Sequence, residues 1–123
     1  MATPILRFDA ATLDSPEPRA LARFYSRLLG WEITTDDEDW VQLTAPTGAG
    51  LSFQRETGYV RPTWPTAATG QQMMVHLDIE VDDLAAGEAH ARACGAEVAD
   101  FQPQDDVRVC LDPDGHPFCL YVG

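Results

Sequence analysis

Residues 107–122 read VRVCLDPDGHPFCLYV, in which two apolar segments flank a short turn sequence. The turn lies at residues 112–115, where Pro113 presets φ and Gly115 tolerates a positive φ. Side chains after the turn alternate between two faces, as they do in a strand. One face carries Phe118, Leu120 and Val122, and the other carries Cys119 and Tyr121. The stretch therefore predicts two strands joined by a reverse turn.

The same pattern occurs earlier in the chain, at residues 40–54, which read WVQLTAPTGAGLSFQ. The Pro-x-Gly turn at residues 46–48 corresponds to that at residues 113–115, at an offset of 67 (113 − 46). Upstream, LGWEI at residues 29–33 corresponds to CGAEV at residues 94–98, at an offset of 65 (94 − 29). These correspondences predict an internal duplication.

Composition limits the class of protein. A length of 123 residues, 45% of them hydrophobic, predicts one domain or two small modules that share a core. The net charge of −12, with arginine supplying all eight basic residues, disfavours binding to nucleic acid or to an anionic membrane. The chain has no apolar run near the ~20 residues of a membrane span, and its first residues lack the basic start and apolar core of a secretory signal, so we expect neither feature. Three cysteines without a C-x-x-C spacing favour a reducing compartment, so we expect a cytoplasmic protein.

The first module is predicted at residues 4–55. It begins with a strand at residues 4–13, followed by a helix with Ser15 as its N-cap, Pro16 as its first residue and Gly30 just past its end. A strand at residues 31–35 and the first hairpin complete it. Residues 56–70, rich in proline and glycine, are predicted to be a linker that doubles as a lid or packs back on the body.

The second module is predicted at residues 71–123. A strand at residues 73–81 precedes a helix capped by Asp82 or Asp83 and ended by Gly95. A strand at residues 96–101 and the final hairpin follow. Each module is thus βαβββ, with one sheet face covered by its helix and the other bare. We predict an α+β fold in which residues 1–123 form a single domain of two tandem modules. Their strands would form a curved mixed sheet around a cleft, with the helices on the outside.

Three stretches of this pattern resemble the vicinal oxygen chelate superfamily, which includes glyoxalase I, bleomycin-resistance proteins, extradiol dioxygenases and epimerases. They are ARFY and LGW at residues 22–31, HLDIEVDDL at residues 76–84 and LDPDGHPFC at residues 111–119. The closing PFCL is similar to a glyoxalase-like branch common in bacteria. The resemblance covers almost the whole chain and implies the two-module fold, but these motifs are mostly turns, caps and core, so they leave the reaction open.

In catalytic members of that superfamily, a divalent metal has four ligands, from the first and last strand of each module. The corresponding positions here are His76 and Cys119 in the second module, and Ala10 and Ser52 in the first. Alanine cannot ligate a metal and serine is a poor ligand, so the resemblance implies no metal of the family type. If a divalent metal such as Zn, Ni, Mn or Fe is bound, we expect His76 and Cys119 to hold it.

The resemblance implies a ligand site in the cleft between the modules. His76 would serve there as a ligand contact or general base, or it would simply bond to a neighbouring residue. Cys119 would face the cleft or be an inert strand residue, and His116 is expected to be exposed in its turn. The predicted cleft residues are Phe8, Trp40, Ser52, Gln54, Trp64, His76, Asp78, Cys119 and Tyr121.

Two functions follow as hypotheses. The first is a metal-independent protein that binds a hydrophobic or aromatic small molecule, as drug-sequestering relatives do, with acidity favouring a cationic ligand. The alternative is a metal-dependent lyase, isomerase or dioxygenase that uses His76. A purely structural or partner-binding domain would lack a sizeable cleft. The resemblance also implies a homodimer, and whether the protein is an enzyme is left open.

Overall fold

The structure, a computed structural model, describes residues 3–123, and within that range each predicted module forms one four-stranded mixed sheet with one helix. The chain divides into two compact units between Thr57 and Gly58. This arrangement confirms the predicted α+β class with two tandem βαβββ modules. The elements are β1 (Ala10–Ser15), α1 (Pro18–Leu29), β2 (Glu32–Asp36), β3 (Trp40–Thr44), β4 (Gly50–Arg55), β5 (Leu77–Val81), α2 (Leu84–Cys94), β6 (Glu97–Val98), β7 (Val107–Leu111) and β8 (Pro117–Val122).

The first unit has the strand order β1-β4-β3-β2, with β1 parallel to β4 and the other pairs antiparallel. Helix α1 packs mainly against β3 and β4. Its apolar face supplies the fully buried Phe24 and Tyr25, and the Tyr25 ring stacks on Phe53 at a centroid distance of 5.7 Å. This aromatic cluster is the core of the unit, and it leaves the opposite sheet face uncovered by the helix.

The start of α1 differs from the prediction. Pro18, not Pro16, is the first helical residue, and Ser15 ends β1 as a buried residue. The Ser15 hydroxyl accepts a hydrogen bond from the Glu17 amide at 2.9 Å, but Glu17 itself precedes the first helical residue. A residue before proline is biased towards extended backbone, so Pro16 keeps Ser15 in the strand. Gly30 ends the helix with φ of 73°, as predicted.

Strand β1 also begins later than the predicted residue 4. Its partner β4 begins at Gly50, which pairs with Ala10, and the last bond of this edge runs from the Gly50 amide to the Asp9 carbonyl. Residues before Asp9 have no strand opposite them in the unit, so they form no regular structure. Ile5 and Phe8, predicted as strand residues, are 93% and 73% exposed.

The second unit repeats the topology as β5-β8-β7-β6, with β5 parallel to β8. The Asp83 carboxylate caps α2 by accepting a hydrogen bond from the Ala86 amide at 2.9 Å, and Gly95 ends the helix with φ of 113°. Strand β5 begins at Leu77, four residues later than predicted, directly opposite Phe118 of β8. The local rules for caps and turns therefore hold in both units.

Strand β6 has two residues instead of the six predicted at 96–101. Past β6, the side chain of Gln102 takes the place of a strand partner. Its amide nitrogen donates to the carbonyls of Ala99 and Val109, and its oxygen accepts from the Val109 amide at 2.8 Å. Because this side chain satisfies the backbone of β7, the chain at residues 99–106 leaves the sheet and forms a loop.

Residues 58–71, which we call the 58–71 segment, contain no helix or strand, and they pack against the rest of the second unit. The indole nitrogen of Trp64 donates to the carbonyl of Phe101 at 3.1 Å. Arg61 donates to the Pro113 carbonyl at 3.2 Å and lies 3.7 Å from the Glu97 carboxylate. Within residues 3–123, no helix is long and apolar enough to cross a membrane.

Candidate functional site

The candidate site lies on the face of the second sheet opposite α2. Alternation along β5 directs Leu77 and Ile79 to one face and Asp78 to the other. In the parallel ladder between β5 and β8, Asp78 lies directly beside Cys119. A depression of about 350 Å³ opens there. Its lining residues are His76, Asp78, Gln104, Asp106, Val107, Cys119, Tyr121 and Val122.

Three side chains with metal-binding or acid–base chemistry meet in this depression. The Nε2 atom of His76 lies 3.2 Å from Oδ1 of Asp78. One ligand atom from each of His76, Asp78 and Cys119 lies within 4.8 Å of the other two. His76 and Asp78 are exposed, and Cys119 is half-buried at the floor. The H-x-D spacing at residues 76–78 is the sequence signal for this group, because residues two apart share one face of an extended chain.

The thiol of Cys119 is a weak nucleophile in this setting. Burial raises the pKa of Cys119 above the ordinary 9.0, and the neighbouring Asp78 carboxylate raises it further. The thiol therefore remains protonated at neutral pH, and covalent chemistry through a free thiolate is disfavoured. The arrangement suits hydrogen bonding, proton transfer at His76 and metal ligation better than nucleophilic attack.

The donor set fits zinc chemically. A ring nitrogen, a carboxylate oxygen and a thiol sulfur are the three ligand types that zinc takes in proteins, and three protein ligands leave a fourth position for water or substrate. Sulfur disfavours harder cations such as magnesium. Zinc would displace the Cys119 proton, because metal binding requires the deprotonated ligand. Asp78, predicted only as a cleft residue, would then be the third ligand beside His76 and Cys119.

The first unit has a smaller depression of about 160 Å³, and its lining includes the polar residues Ser52 and Gln42. Ser52 is buried, and its hydroxyl lies 3.5 Å from the amide nitrogen of Gln42. Ala10, the position corresponding to His76, also lines this depression. The first unit therefore has a methyl group at residue 10 and a hydroxyl group at residue 52, and its depression adds the amide of Gln42.

The structure does not gather all the predicted cleft residues. His76, Asp78, Cys119 and Tyr121 line the larger depression and Ser52 lines the smaller one. Trp40 and Gln54 are cross-strand neighbours on β3 and β4. Phe8 is an exposed residue before β1, and Trp64 packs against Phe101 at a ring distance of 6.3 Å. Among the residues that the structure describes, the linings of the two depressions include none of the four residues Phe8, Trp40, Gln54 and Trp64.

His116 is the residue that the sequence analysis placed wrongly. It was expected to be exposed in the turn, but its side chain is 15% exposed and its Nδ1 atom lies 2.8 Å from the Asp112 carboxylate. Asp112 is itself buried, with 1% of its surface exposed. On the far side of the ring, Nε2 lies 3.3 Å from the Tyr59 hydroxyl. No sequence signal indicates that contact, because Tyr59 is distant in the chain.

Comparison with known proteins agrees with this architecture. The family model of the glyoxalase-like domain matches residues 10–121. A glyoxalase/bleomycin resistance protein/dioxygenase family enzyme from Burkholderia phytofirmans PsJN is similar, with 14% identity, a TM-score of 0.68, and 94% of this chain and 97% of that chain covered. A glyoxalase-related enzyme from Fulvimarina pelagi has 19% identity and a TM-score of 0.68, with 97% of this chain and 89% of that chain covered.

A glyoxalase family protein from Enterococcus faecalis is 21% identical with a TM-score of 0.63, and the match covers 95% of this chain and 96% of that chain. At these identities, the likeness shows the fold alone. No protein with a curated description matches this chain. The family model, however, spans both units from β1 to the end of β8. The chain therefore belongs to the glyoxalase-like domain family, within the vicinal oxygen chelate superfamily.

Proposed function

We propose that this protein binds a small molecule in the depression formed by His76, Asp78 and Cys119, and that the molecule pairs a cationic or hydrogen-bond-donating group with an apolar body. The observation that carries the proposal is the convergence of three polar side chains in one depression of about 350 Å³. Ligand sites commonly have volumes of about 300–1,000 Å³ and combine an apolar lining with a few placed polar groups.

The charges of the lining support a cationic group. Asp78 and Asp106 both line the depression, and no lysine or arginine does so. The chain as a whole has a net charge of −12, so its field attracts cations. His76 is in contact with Asp78, where a bound ammonium group would compete with it for the carboxylate. An ammonium group in the depression would therefore interact with Asp78 directly.

Apolar surface in the same depression supports the second half of the proposal. Val107 of β7 and Val122 of β8 line it, and the Tyr121 ring offers a flat face to an aromatic or aliphatic body. Tyrosine rings also attract cations over their faces. An arylalkylamine combines these features and is the simplest probe of the site.

The test compares three matched probes, an arylalkylamine, the corresponding alcohol and the corresponding carboxylate, by calorimetry and thermal shift. We expect the amine to bind most tightly, and we expect Asp78→Asn to remove its advantage over the alcohol. Asp100→Asn is the control, because Asp100 is exposed and outside the lining. Equal binding of the three probes, or an unchanged preference in Asp78→Asn, would contradict the proposal.

A second candidate function is a metal-dependent lyase, isomerase or dioxygenase, favoured by the donor atoms that lie within 4.8 Å of one another. His76, Asp78 and Cys119 would hold zinc, which would supply a Lewis acid that polarises a substrate oxygen. His76 and Asp78 are exposed enough to rearrange for a fourth ligand, and Tyr121 would pack on the substrate body.

Metal content by mass spectrometry, on protein purified without chelator, separates the two functions. A metal-dependent enzyme should hold about one zinc per chain and lose it in His76→Ala and Cys119→Ala. His90→Ala is the control, because His90 lies on α2, away from the depression. Added zinc should also raise the unfolding temperature of wild type but not of the two site variants. If the protein holds no metal and zinc does not stabilise it, the second candidate function is refuted.

We propose further that the protein forms a homodimer. Support comes from large apolar side chains exposed ahead of the first strand of each unit: Ile5, Leu6 and Phe8 before β1, and Met74 and Val75 before β5. Exposed apolar groups of this size commonly mark association surfaces. Light scattering after size exclusion should give twice the 13.5 kDa chain mass, and Leu6→Ser with Phe8→Ser should reduce it. A monomer in wild type at micromolar concentration would refute the proposal.

A further inference from the structure

The turn of the final hairpin contains a buried carboxylate surrounded by nitrogen atoms. Oδ1 of Asp112 accepts hydrogen bonds from the amides of Asp114 and His116, each at 2.9 Å. Its Oδ2 lies 2.8 Å from Nδ1 of His116. The Asp112 side chain has no exposed surface, so the ionised carboxylate needs these donors in place of water. The Nδ1 atom must therefore carry a proton, since a lone pair there would face the carboxylate oxygen.

The other ring nitrogen faces a hydroxyl whose proton is already engaged. The Tyr59 hydroxyl lies 2.6 Å from the Asp114 carbonyl oxygen, which can only accept, so the single hydroxyl proton lies in that short bond. The Nε2 atom of His116 lies 3.3 Å from the same hydroxyl oxygen. A favourable contact at that distance requires Nε2 to be the donor. Both ring nitrogens then carry protons.

We propose that His116 is an imidazolium ion at neutral pH and acts as a latch that fastens the 58–71 segment to the turn of the final hairpin. When the ring loses its Nε2 proton, Nε2 and the Asp114 carbonyl both become acceptors for the single Tyr59 hydroxyl proton, so one of the two contacts of Tyr59 is lost. The latch therefore holds in the protonated state and loosens when the proton is removed. The pairing of Asp112 with His116 survives in both states, because Nδ1 keeps its proton.

The charges around the ring favour its protonated state. On its own turn, the Asp112 carboxylate is in direct contact and Asp114 contributes a second acidic residue and its carbonyl oxygen. On the 58–71 segment, Tyr59 presents its hydroxyl and Arg61 passes close to Gly115. Arg61 opposes a second positive charge, but its own charge is screened by solvent and by Glu97 of β6 at 3.7 Å. The buried carboxylate at 2.8 Å is the strongest of these influences because water does not screen it.

The latch connects to the candidate site through the segment that it holds. Trp64, five residues after Tyr59, donates to the Phe101 carbonyl and packs on the Phe101 ring. The same 99–106 loop supplies Gln104 and Asp106 to the lining of the larger depression. Loosening the segment would free this loop and widen the depression. This last step rests on the proposed function, whereas the latch itself does not.

The protonation state is measured directly by NMR of protein labelled with ¹⁵N in its histidine rings. The chain has three histidines, so His76 and His90 serve as internal references, and each signal is assigned by its His→Gln variant. At about pH 7, where a free histidine is mostly neutral, we expect both His116 nitrogens to give protonated signals. A protonated Nδ1 with an unprotonated Nε2 at that pH would overturn the proposal, whatever the fate of the ligand site.

Hydrogen exchange then tests the fastening. The Thr63 amide, bonded to the Gln71 carbonyl at 2.9 Å, reports on the 58–71 segment, and the Ala96 amide, bonded to Ala91, reports on the rest of the unit. Tyr59→Phe removes the latch and keeps the Asp112 pair. The variant loses the contacts of the hydroxyl with both His116 and the Asp114 carbonyl. We therefore expect its Thr63 amide to exchange at least about tenfold faster, with Ala96 unchanged. Raising the pH should speed the wild-type Thr63 amide beyond its intrinsic pH dependence, but not that of Tyr59→Phe.

The controls keep the outcomes distinct. His90→Gln should leave the Thr63 amide unchanged, because His90 lies on α2 and not on the 58–71 segment. Equal exchange of the Thr63 amide in Tyr59→Phe and wild type would refute the fastening. If the latch is found but amine binding in the depression is absent, the proposed function fails and the latch stands. If amine binding is found but the Nε2 atom of His116 is unprotonated, the latch proposal fails and the proposed function stands.

Discussion

Replacing Asp112 with alanine should strongly destabilise the second unit. The substitution removes the acceptor for the amides of Asp114 and His116 and for the His116 ring, all at about 3 Å from a side chain with no exposed surface. Leaving a buried charged partner and two backbone donors unsatisfied costs about 3–5 kcal/mol. Since domains of this kind unfold with about 5–15 kcal/mol, the change removes between about a fifth and all of the available stability.

Asp112→Asn separates the loss of charge from the loss of shape. Its amide oxygen still accepts from the two backbone amides, while its amide nitrogen faces Nδ1 of His116 and forces the neutral ring. We expect a loss of about 1–2 kcal/mol, because every bond keeps a partner and only the charge is lost. Wild type should therefore be the most stable, Asp112→Asn less stable and Asp112→Ala the least stable.

Urea denaturation followed by circular dichroism provides the assay. With a slope of about 2 kcal/mol per molar urea, Asp112→Ala should lower the midpoint by about 2 M. Asp100→Ala is the matched control, since this exposed aspartate should change stability by less than about 0.5 kcal/mol. A loss below about 1 kcal/mol in Asp112→Ala would show that the carboxylate is not satisfied as the structure has it, and the reasoning from buried donors would fail.

Three further predictions follow from the same geometry. Phe53→Ala should cost about 3–5 kcal/mol in urea denaturation, because the ring is fully buried against Tyr25, and a loss below about 1 kcal/mol would contradict the packing. Burial, with smaller contributions from Glu88 and Cys119, raises the pKa of Cys110 from 9.0 to about 11. At about pH 8, Cys110 in the native protein should therefore be alkylated about a hundredfold more slowly than an ordinary thiol, and the rate should increase up to about pH 11. Rapid alkylation at pH 8 would refute this prediction. Asp83→Ala should cost about 1 kcal/mol by removing the cap of α2, whereas Asp82→Ala should not, and equal effects would count against the assigned cap.

Much of the fold was predictable because it depends on local chemistry. Positive-φ glycines at residues 30 and 95 end the two helices, and Gly48 and Gly115 form the hairpin turns, as their positions after apolar or Pro-containing runs predicted. Alternation on β5 correctly separated Asp78 from its apolar neighbours. Each of these features is decided within a few residues of chain, where backbone geometry and hydrogen bonding leave little choice. The cytoplasmic location and the homodimer stay predictions.

Strand limits could not be predicted, because a strand ends where its partner ends. Residues 4–9 have the apolar character of a strand, but β4 begins at Gly50, opposite Ala10, so they remain unpaired in the unit. Likewise, Val98 ends β6 because Gln102 supplies side-chain bonds to the edge of β7. An apolar pattern indicates only a preference for extended backbone, whereas the pairing of one strand with another depends on residues far away in the chain.

The candidate site shows the same division. The two-module architecture follows from the sequence alone, as do the positions of His76 and Cys119 and a net charge that disfavours anionic partners. Two contacts, by contrast, come from the folded chain: Asp78 lies beside Cys119 in the ladder, and His116 lies between buried Asp112 and a tyrosine 57 residues away. Periodicity specifies which face a side chain takes, but the identity of its neighbour there depends on sheet register and loop packing, which arise from the whole folded unit.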